Sequence, residues 1–204
     1  MRRLTACVLM MILLLSGCKG GGETTPETAA LALRDTYKDL AGWSSTVDIT
    51  AEVGDKVFDF TLDASWQKEG ETVLTITAPE LLAGITARIV DGETVLEYDG
   101  AGLSLGLLDG RGLTAVSAVP WVMEQIGKGY MAKCAWAGEN QELLQITFRD
   151  PEAEANMGTE YRITFDRETL ALNGAEVSVD GSSVLTAAFR NFTMTPQGQG
   201  DERS

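Results

Sequence analysis

Few residues of this chain could carry covalent chemistry. The sequence contains no histidine and three cysteines, Cys7, Cys18 and Cys134. Without histidine, Ser-His-Asp and Cys-His catalysis are excluded, and the commonest zinc ligand is missing. No nucleophile elbow, P-loop or EF-hand spacing is present, so no enzyme, metal or cofactor is predicted. The chemistry that the sequence does predict lies at one thiol, that of Cys18.

The residues before Cys18 have the features of a processing signal. Two arginines follow Met1, and Leu4 to Leu15 form a mostly apolar run. The run is shorter than the roughly 20 residues that a transmembrane helix needs. Leu15-Ser16-Gly17-Cys18 resembles a lipobox, which implies diacylglyceryl transfer to the Cys18 thiol and cleavage before it. Residues 1–17 are therefore predicted to be a lipoprotein signal peptide; the alternative is an ordinary secretory signal with an incidental cysteine.

Beyond the signal, the sequence predicts a flexible tether and then an acidic domain. Residues 18–25, the acylated cysteine and a glycine-rich stretch, form the tether. Removing residues 1–17 takes away two arginines and no acidic residue, so the formal net charge changes from −14 to −16. Such acidity argues against nucleic acid and against adsorption to anionic headgroups. The two acyl chains on Cys18 would instead hold the protein on the extracytoplasmic face of the cell membrane.

Hydrophobic periodicity predicts one α+β domain over residues 26–195. A helix is expected from about Pro26 to Ala41 and a second from about Ser117 to Ile126. Alternating apolar and polar residues, broken by Asp-Gly turns, predict about ten strands in a curved antiparallel sheet, an incomplete barrel that the helices cover. Residues 101–116 are rich in glycine, and either a short strand or a mobile flap is compatible with them. Residues 196–204 are predicted to be a disordered tail.

The concave face of this sheet is the candidate binding surface. Two interpretations are open: a pocket for an acyl chain or another apolar ligand, and a closed core that the helices fill. Asp59 and Asp63 lie on the opposite face, about 13 Å apart, too far for a glycosidase pair, and are interpreted as solvated charges. Cys134 is either a reactive thiol or a small buried residue. The cavity candidates on the concave face are Phe58, Phe60, Leu62, Trp66, Leu74, Ile76, Ile85, Ile89 and Tyr98.

Two stretches of the sequence resemble a known family. One runs from Trp66 to Tyr98, with Pro79 between two strands and Asp91-Gly92 before the Tyr98 strand; the other runs from Tyr161 to Phe192. In their order and pattern they resemble the LolA/LolB superfamily of lipoprotein carriers. The likeness is greatest to its lipobox-bearing Gram-positive branch, which includes a clostridial germination lipoprotein. The resemblance implies an incomplete β-barrel over helices, an apolar cavity between them, and no catalysis.

Two functions follow as expectations. The first is a membrane-anchored, non-catalytic module that binds an apolar lipid or acyl ligand. The second, implied by the resemblance to the germination lipoprotein, is an envelope or spore protein that interacts with a cell-wall (cortex) enzyme. The sequence shows no counterpart of the arginine lock over the cavity of the soluble periplasmic carrier, and it carries a lipobox, so a protein retained at the cell surface is expected rather than a lipid shuttle.

Overall fold

The computed structural model describes residues 24–107 and 114–197. The predicted signal peptide, Cys18 and most of the tether lie outside the described residues, as does the tail beyond residue 197. The described residues form two α-helices, a 3₁₀ turn and eleven strands. In chain order these are α1 (Pro26–Lys38), β1 (Leu40–Val53), β2 (Lys56–Gln67), β3 (Thr72–Ala78), the 3₁₀ turn (Glu80–Leu82), β4 (Thr86–Val90), β5 (Glu93–Tyr98), β6 (Ala101–Leu107), α2 (Ala115–Lys128), β7 (Met131–Ala137), β8 (Leu143–Arg149), β9 (Thr159–Asp166), β10 (Leu172–Val179) and β11 (Ser182–Pro196).

The strands form one antiparallel sheet in the order β6-β5-β4-β3-β2-β1-β11-β10-β9-β8-β7. Two meanders, β1 to β6 and β7 to β11, meet where β1 pairs with β11. β6 and β7 are consecutive strands in the sequence, but they form opposite edges of the sheet. The segment between them, which contains α2, therefore has to travel from one edge to the other. The predicted fold class, a helix-covered incomplete barrel, is confirmed.

Helix α1 begins where the sequence predicts and ends earlier. The Thr25 hydroxyl accepts a hydrogen bond from the Thr28 N–H at 3.3 Å, and Pro26 occupies the first turn. The helix ends at Lys38 rather than at Ala41. The reason is tertiary, because Leu40 already pairs with β11 and the chain must be extended there. The buried side of α1 packs against β7 and β8.

Helix α2 is longer than predicted at both ends. Thr114 and Ser117 form a reciprocal capping box, so the helix starts at Ala115, two residues before the predicted start. At the other end the helix continues to Lys128, and the N–H of Gly129 bonds the Gln125 carbonyl at 2.8 Å. No helix in the described part of the chain is long and apolar enough to cross a membrane.

Alternation along the strands separates an inner face, which the helices cover, from an outer, mainly polar face. Strand β8 shows the pattern, with Leu144, Ile146 and Phe148 buried and Gln145 and Thr147 between them. The structure also decides what residues 101–107 form, since they pair with β5 as the edge strand β6. The described residues thus form one strand more than the roughly ten predicted, because a stretch with little periodicity pairs with the strand before it.

Candidate functional site

A cavity of about 300 Å³ lies where α1 and α2 meet the inner face of β1, β2 and β3. The sheet forms one wall and the two helices form the other. This volume is at the lower end of the range for small-molecule sites, which is about 300 to 1,000 Å³. Most of the lining side chains are apolar or aromatic. The full lining consists of Tyr37, Lys38, Trp43, Trp66, Thr72, Pro120, Met123 and Gly127.

Aromatic rings build the wall beneath α1. The ring of Phe192 stacks on Trp43 at 6.0 Å and on Tyr37 at 6.1 Å, between ring centroids. Tyr37 also forms a T-shaped pair with Phe165, with ring centroids 5.6 Å apart, and its hydroxyl donates to the Leu170 carbonyl at 2.9 Å. Burial raises the pKa of the Tyr37 phenol, which keeps the hydroxyl protonated as a donor. These contacts hold the aromatic wall in a defined geometry.

Arg34 joins the two helical walls. Its Nε donates to the Ile126 carbonyl at 2.9 Å and its Nη2 donates to the Gly129 carbonyl at 2.5 Å. These carbonyls lie at the C-terminal end of α2, where the last turn leaves carbonyls without helical partners. The guanidinium also lies 5.8 Å from the centre of the Phe148 ring. Burial is the main cause of the lowered pKa of Arg34. The sequence offered no signal for this role, because the residues joined are over 90 positions apart.

Gly127 lines the cavity and has open space beside it. It lies in the last turn of α2. A Cβ built on its backbone meets no atom within 4 Å. Glycine loses more backbone entropy than other residues when it folds into a helix, so Gly127 does not stabilise α2 by itself. The predicted second helix ends at Ile126, which leaves Gly127 outside it, whereas in the structure Gly127 belongs to the last turn of α2 and to the cavity wall.

The structure distributes the nine sequence-predicted cavity residues over four environments. Trp66 lines the cavity. The other eight divide into a buried set (Leu62, Leu74, Ile76 and Ile89), a half-buried set packed on the core (Phe60 and Ile85) and an exposed pair (Phe58 and Tyr98). The two open interpretations thus apply to different parts of the same face, which is filled around Leu62, Leu74 and Ile76 and open near Trp66. A role of these nine residues in ligand binding stays a prediction.

The other residues considered for chemistry have structural partners. Asp63 accepts a hydrogen bond from Thr46 at 2.9 Å, and Asp59 accepts one from Thr50 at 2.7 Å. Both pairs tie β1 to β2 on the outer face. Cys134 is half-buried against the core, and burial raises the pKa of its thiol, which disfavours the reactive thiolate. Within residues 24–107 and 114–197, no three His, Cys, Asp or Glu side chains cluster as metal ligands.

Fold and cavity together define a helix-covered incomplete β-barrel with a pocket beneath its helices. No family model and no curated protein matches the sequence. Among solved structures, the chain is similar to an uncharacterized conserved protein from Thermus thermophilus. The TM-score is 0.51 at 10% identity, over 82% of this chain and 88% of that one. This likeness is one of fold alone.

Two further solved structures are more distant. One is the CwlD amidase from Clostridioides difficile in complex with the GerS lipoprotein, with a TM-score of 0.47 and 13% identity over 84% of this chain and 96% of that one. The other is a LolA superfamily protein from Nitrosomonas europaea, with a TM-score of 0.42 and 8% identity over 83% of this chain and 93% of that one. A LolA superfamily protein, the family that the sequence resembles, is thus among the solved structures to which this chain is similar.

Proposed function

We propose that this protein is a non-catalytic, membrane-anchored lipoprotein that binds a ligand with an acyl chain in the cavity between α1, α2 and the sheet. The observation that carries the proposal is the open, aromatic-lined volume of about 300 Å³. Protein interiors pack to a density that leaves few voids larger than a water molecule. A cavity of this size, walled by Tyr37, Trp43 and Trp66, therefore favours occupation by an apolar group.

The rim of the cavity favours an acyl ligand with an anionic end. Lys38, in the last turn of α1, lines the cavity and is exposed to solvent. Its ammonium group can receive a carboxylate while the chain of the ligand lies among the aromatic rings. The Thr72 hydroxyl is a second polar group in the lining. A fatty acid has this combination of apolar chain and carboxylate.

The anchor places such a cavity beside a source of lipid. A diacylglyceryl group on Cys18 would supply two acyl chains, enough for stable attachment. Eight tether residues, 18–25, reach at most about 28 Å when fully extended. Helix α1, which forms one wall of the cavity, begins directly after the tether at Pro26. Lipid binding and anchoring are therefore parts of one proposal.

Filling the cavity at Gly127 tests the proposal. We expect the Gly127→Phe variant to bind a fatty acid bearing a fluorescent anthroyloxy group at least about tenfold more weakly than the unchanged protein, because the ring would compete with the acyl chain for the same volume. A tenfold loss of affinity corresponds to about 1.4 kcal/mol. The ring would enter space in which a Cβ meets no atom. The measurement is a fluorescence titration of the purified, unlipidated protein from residue 19 onward.

Gly127→Ala is the matched control. It changes the helix backbone in the same way without filling the cavity, and it should bind the probe like the unchanged protein. It should also be stabilised by about 0.5 to 1 kcal/mol, the usual gain when alanine replaces glycine inside a helix. Saturable binding that the phenylalanine leaves intact would contradict a site in this cavity, and absence of saturable binding to the unchanged protein would contradict the function.

A second candidate function rests on the edge strand β6. Leu103, Leu105 and Leu107 are 62%, 49% and 76% exposed, and the strand contains no charged residue. Edge strands of soluble proteins are normally protected by charge, proline or a cover, because their free backbone groups can pair with another chain. An uncharged, leucine-rich edge favours a protein partner that adds a strand to β6. This candidate corresponds to an envelope or spore protein that supports a cell-wall enzyme.

Lysine substitutions on β6 test the second candidate. We expect Leu105→Lys to abolish recovery of a specific partner by crosslinking and pulldown from sporulating or vegetative cells, because the charge opposes an apolar contact at the edge. Leu81→Lys is the control, since Leu81 is 88% exposed but lies on the 3₁₀ turn. Equal loss in both variants, or no specific partner at all, would count against β6 as a docking edge.

A further inference from the structure

A polar groove lies on the outer face of β7, β8 and β9, on the side of the sheet opposite the helices. Its volume is about 630 Å³. The floor is formed by the outward side chains of the three strands. One wall is the loop between β8 and β9, which contributes Ala155 and Asn156. The groove is separate from the cavity beneath the helices, and none of the roles described above uses it.

Three cations from three neighbouring strands line this groove. Lys133 of β7 pairs in register with Thr147 of β8, which in turn pairs with Arg162 of β9. Arg149 lies two residues further along β8 and lines the same groove. The lining contains one carboxylate, that of Glu160. The sign of the local charge is thus opposite to that of the chain, whose formal net charge is −14.

Two of the three cations have donor capacity that the protein does not use. Arg162 donates to Glu176 at 2.7 Å and is paired. Arg149 reaches Glu160 from Nη1 over 3.4 Å, and its buried Nε has no acceptor. Lys133 is exposed and makes no ion pair within the described residues. The loosely paired Arg149 guanidinium and the free Lys133 ammonium in one groove favour an anionic acceptor from outside.

Glu160 holds the groove in shape. Its side chain is almost fully buried and accepts the N–H of Asn156 at 2.9 Å through the same Oε1 that faces Arg149. The loop wall is also fixed at its far end, where the Gly158 N–H donates to the Asp180 carboxylate at 2.9 Å. The cations are therefore presented by a formed wall and floor, so binding would require little rearrangement.

We propose that this groove binds the phosphate or carboxylate groups of a small, multiply charged anionic solute. The guanidinium of Arg149 can donate to an oxyanion from its Nη groups, and the Lys133 ammonium supplies a point charge. The Thr147 hydroxyl and the Gln145 amide line the same space and add neutral donors. The groove has room for more than one oxyanion group. The inference does not depend on what occupies the cavity under the helices.

Calorimetric titration of the full chain in a non-ionic detergent tests the groove, with pyrophosphate and citrate as separate probes. We expect saturable binding of at least one probe to one site, weakened roughly tenfold in Lys133→Gln because a charge-assisted contact is lost. Arg149→Lys keeps the positive charge but removes the N–H donors of the planar guanidinium, so it should weaken binding as well. Binding of pyrophosphate alone would identify a phosphate site, binding of citrate alone a carboxylate site, and binding of both a general oxyanion site.

The matched control is Lys56→Gln, an identical change at an exposed lysine that begins β2, outside the groove. Its affinity should equal that of the unchanged protein. Absence of saturable binding with both probes would overturn the proposal. Equal weakening in Lys56→Gln and Lys133→Gln would overturn it too, because binding would then reflect overall charge. The exposed position of Lys133 makes its variant a fair test of affinity in a folded protein.

Discussion

Replacing Cys18 with alanine is expected to move the protein from the membrane fraction to the soluble fraction almost completely. The thiol is the predicted site of diacylglyceryl attachment, and each buried CH₂ of an acyl chain contributes about 0.8 kcal/mol to membrane binding. Without the lipid, a formal net charge near −16 in the chain from residue 18 onward opposes adsorption to anionic headgroups. The measurement is ultracentrifugation of lysed cells followed by immunoblotting.

The variant should be expressed behind an ordinary secretory signal, so that cleavage does not depend on the thiol. Cys134→Ala in the unchanged precursor is the matched control, because Cys134 is half-buried in the folded domain, far along the chain from the signal. It should stay in the membrane fraction. Complete retention of the Cys18→Ala protein would contradict the lipid anchor and would leave residues 1–17 as an ordinary signal at most.

Phe165→Ala is expected to lower the free energy of unfolding by about 3 to 5 kcal/mol. Phe165 is 0% exposed and lies on β9. Its ring and the Tyr37 ring are nearly perpendicular, with centroids 5.6 Å apart, and this contact connects the sheet to α1. Truncation would leave a void in the core and remove this aromatic contact. Because domains have a total stability of about 5 to 15 kcal/mol, the loss is large. Urea denaturation followed by circular dichroism measures it.

Phe58→Ala provides the comparison within the same residue type. Phe58 is 42% exposed on β2, although the alternating pattern places it on the inner face with the buried residues of that strand. Its truncation should cost under about 1 kcal/mol, in the range of partly exposed sites. Similar losses of stability in the two variants would contradict the placement of Phe165 in the core and of Phe58 outside it.

The elements of this fold could be predicted because their causes are local. An Asp-Gly pair predicts a hairpin, and Asp91 and Gly92 do adopt positive φ angles of 52° and 84° between β4 and β5. The start of α1 follows from Thr25 and Pro26, whose capping and first-turn roles involve neighbours only. The inner face of β2 follows from alternation. Each of these depends on residues within a few positions of one another.

The cavity could not be predicted, because its walls come from distant parts of the chain. Leu62 and Trp66 share one face of β2, and a period of two residues cannot distinguish them. Leu62 is covered and buried, whereas Trp66 borders the open volume. The difference depends on where α1 and α2 lie over the sheet, which Arg34 helps to determine through the C-terminal end of α2.

The sequence by itself determined the strand pattern and the apolar face, and it predicted one modified thiol at Cys18. Tertiary structure decided which part of that face is filled and which is open. It also brought Lys133 and Arg149 together on the outer face, through the pairing of β7 with β8. The physical reason is that alternation specifies only the side of the sheet to which a residue points. Empty volume and local charge depend on all the elements that meet at one place.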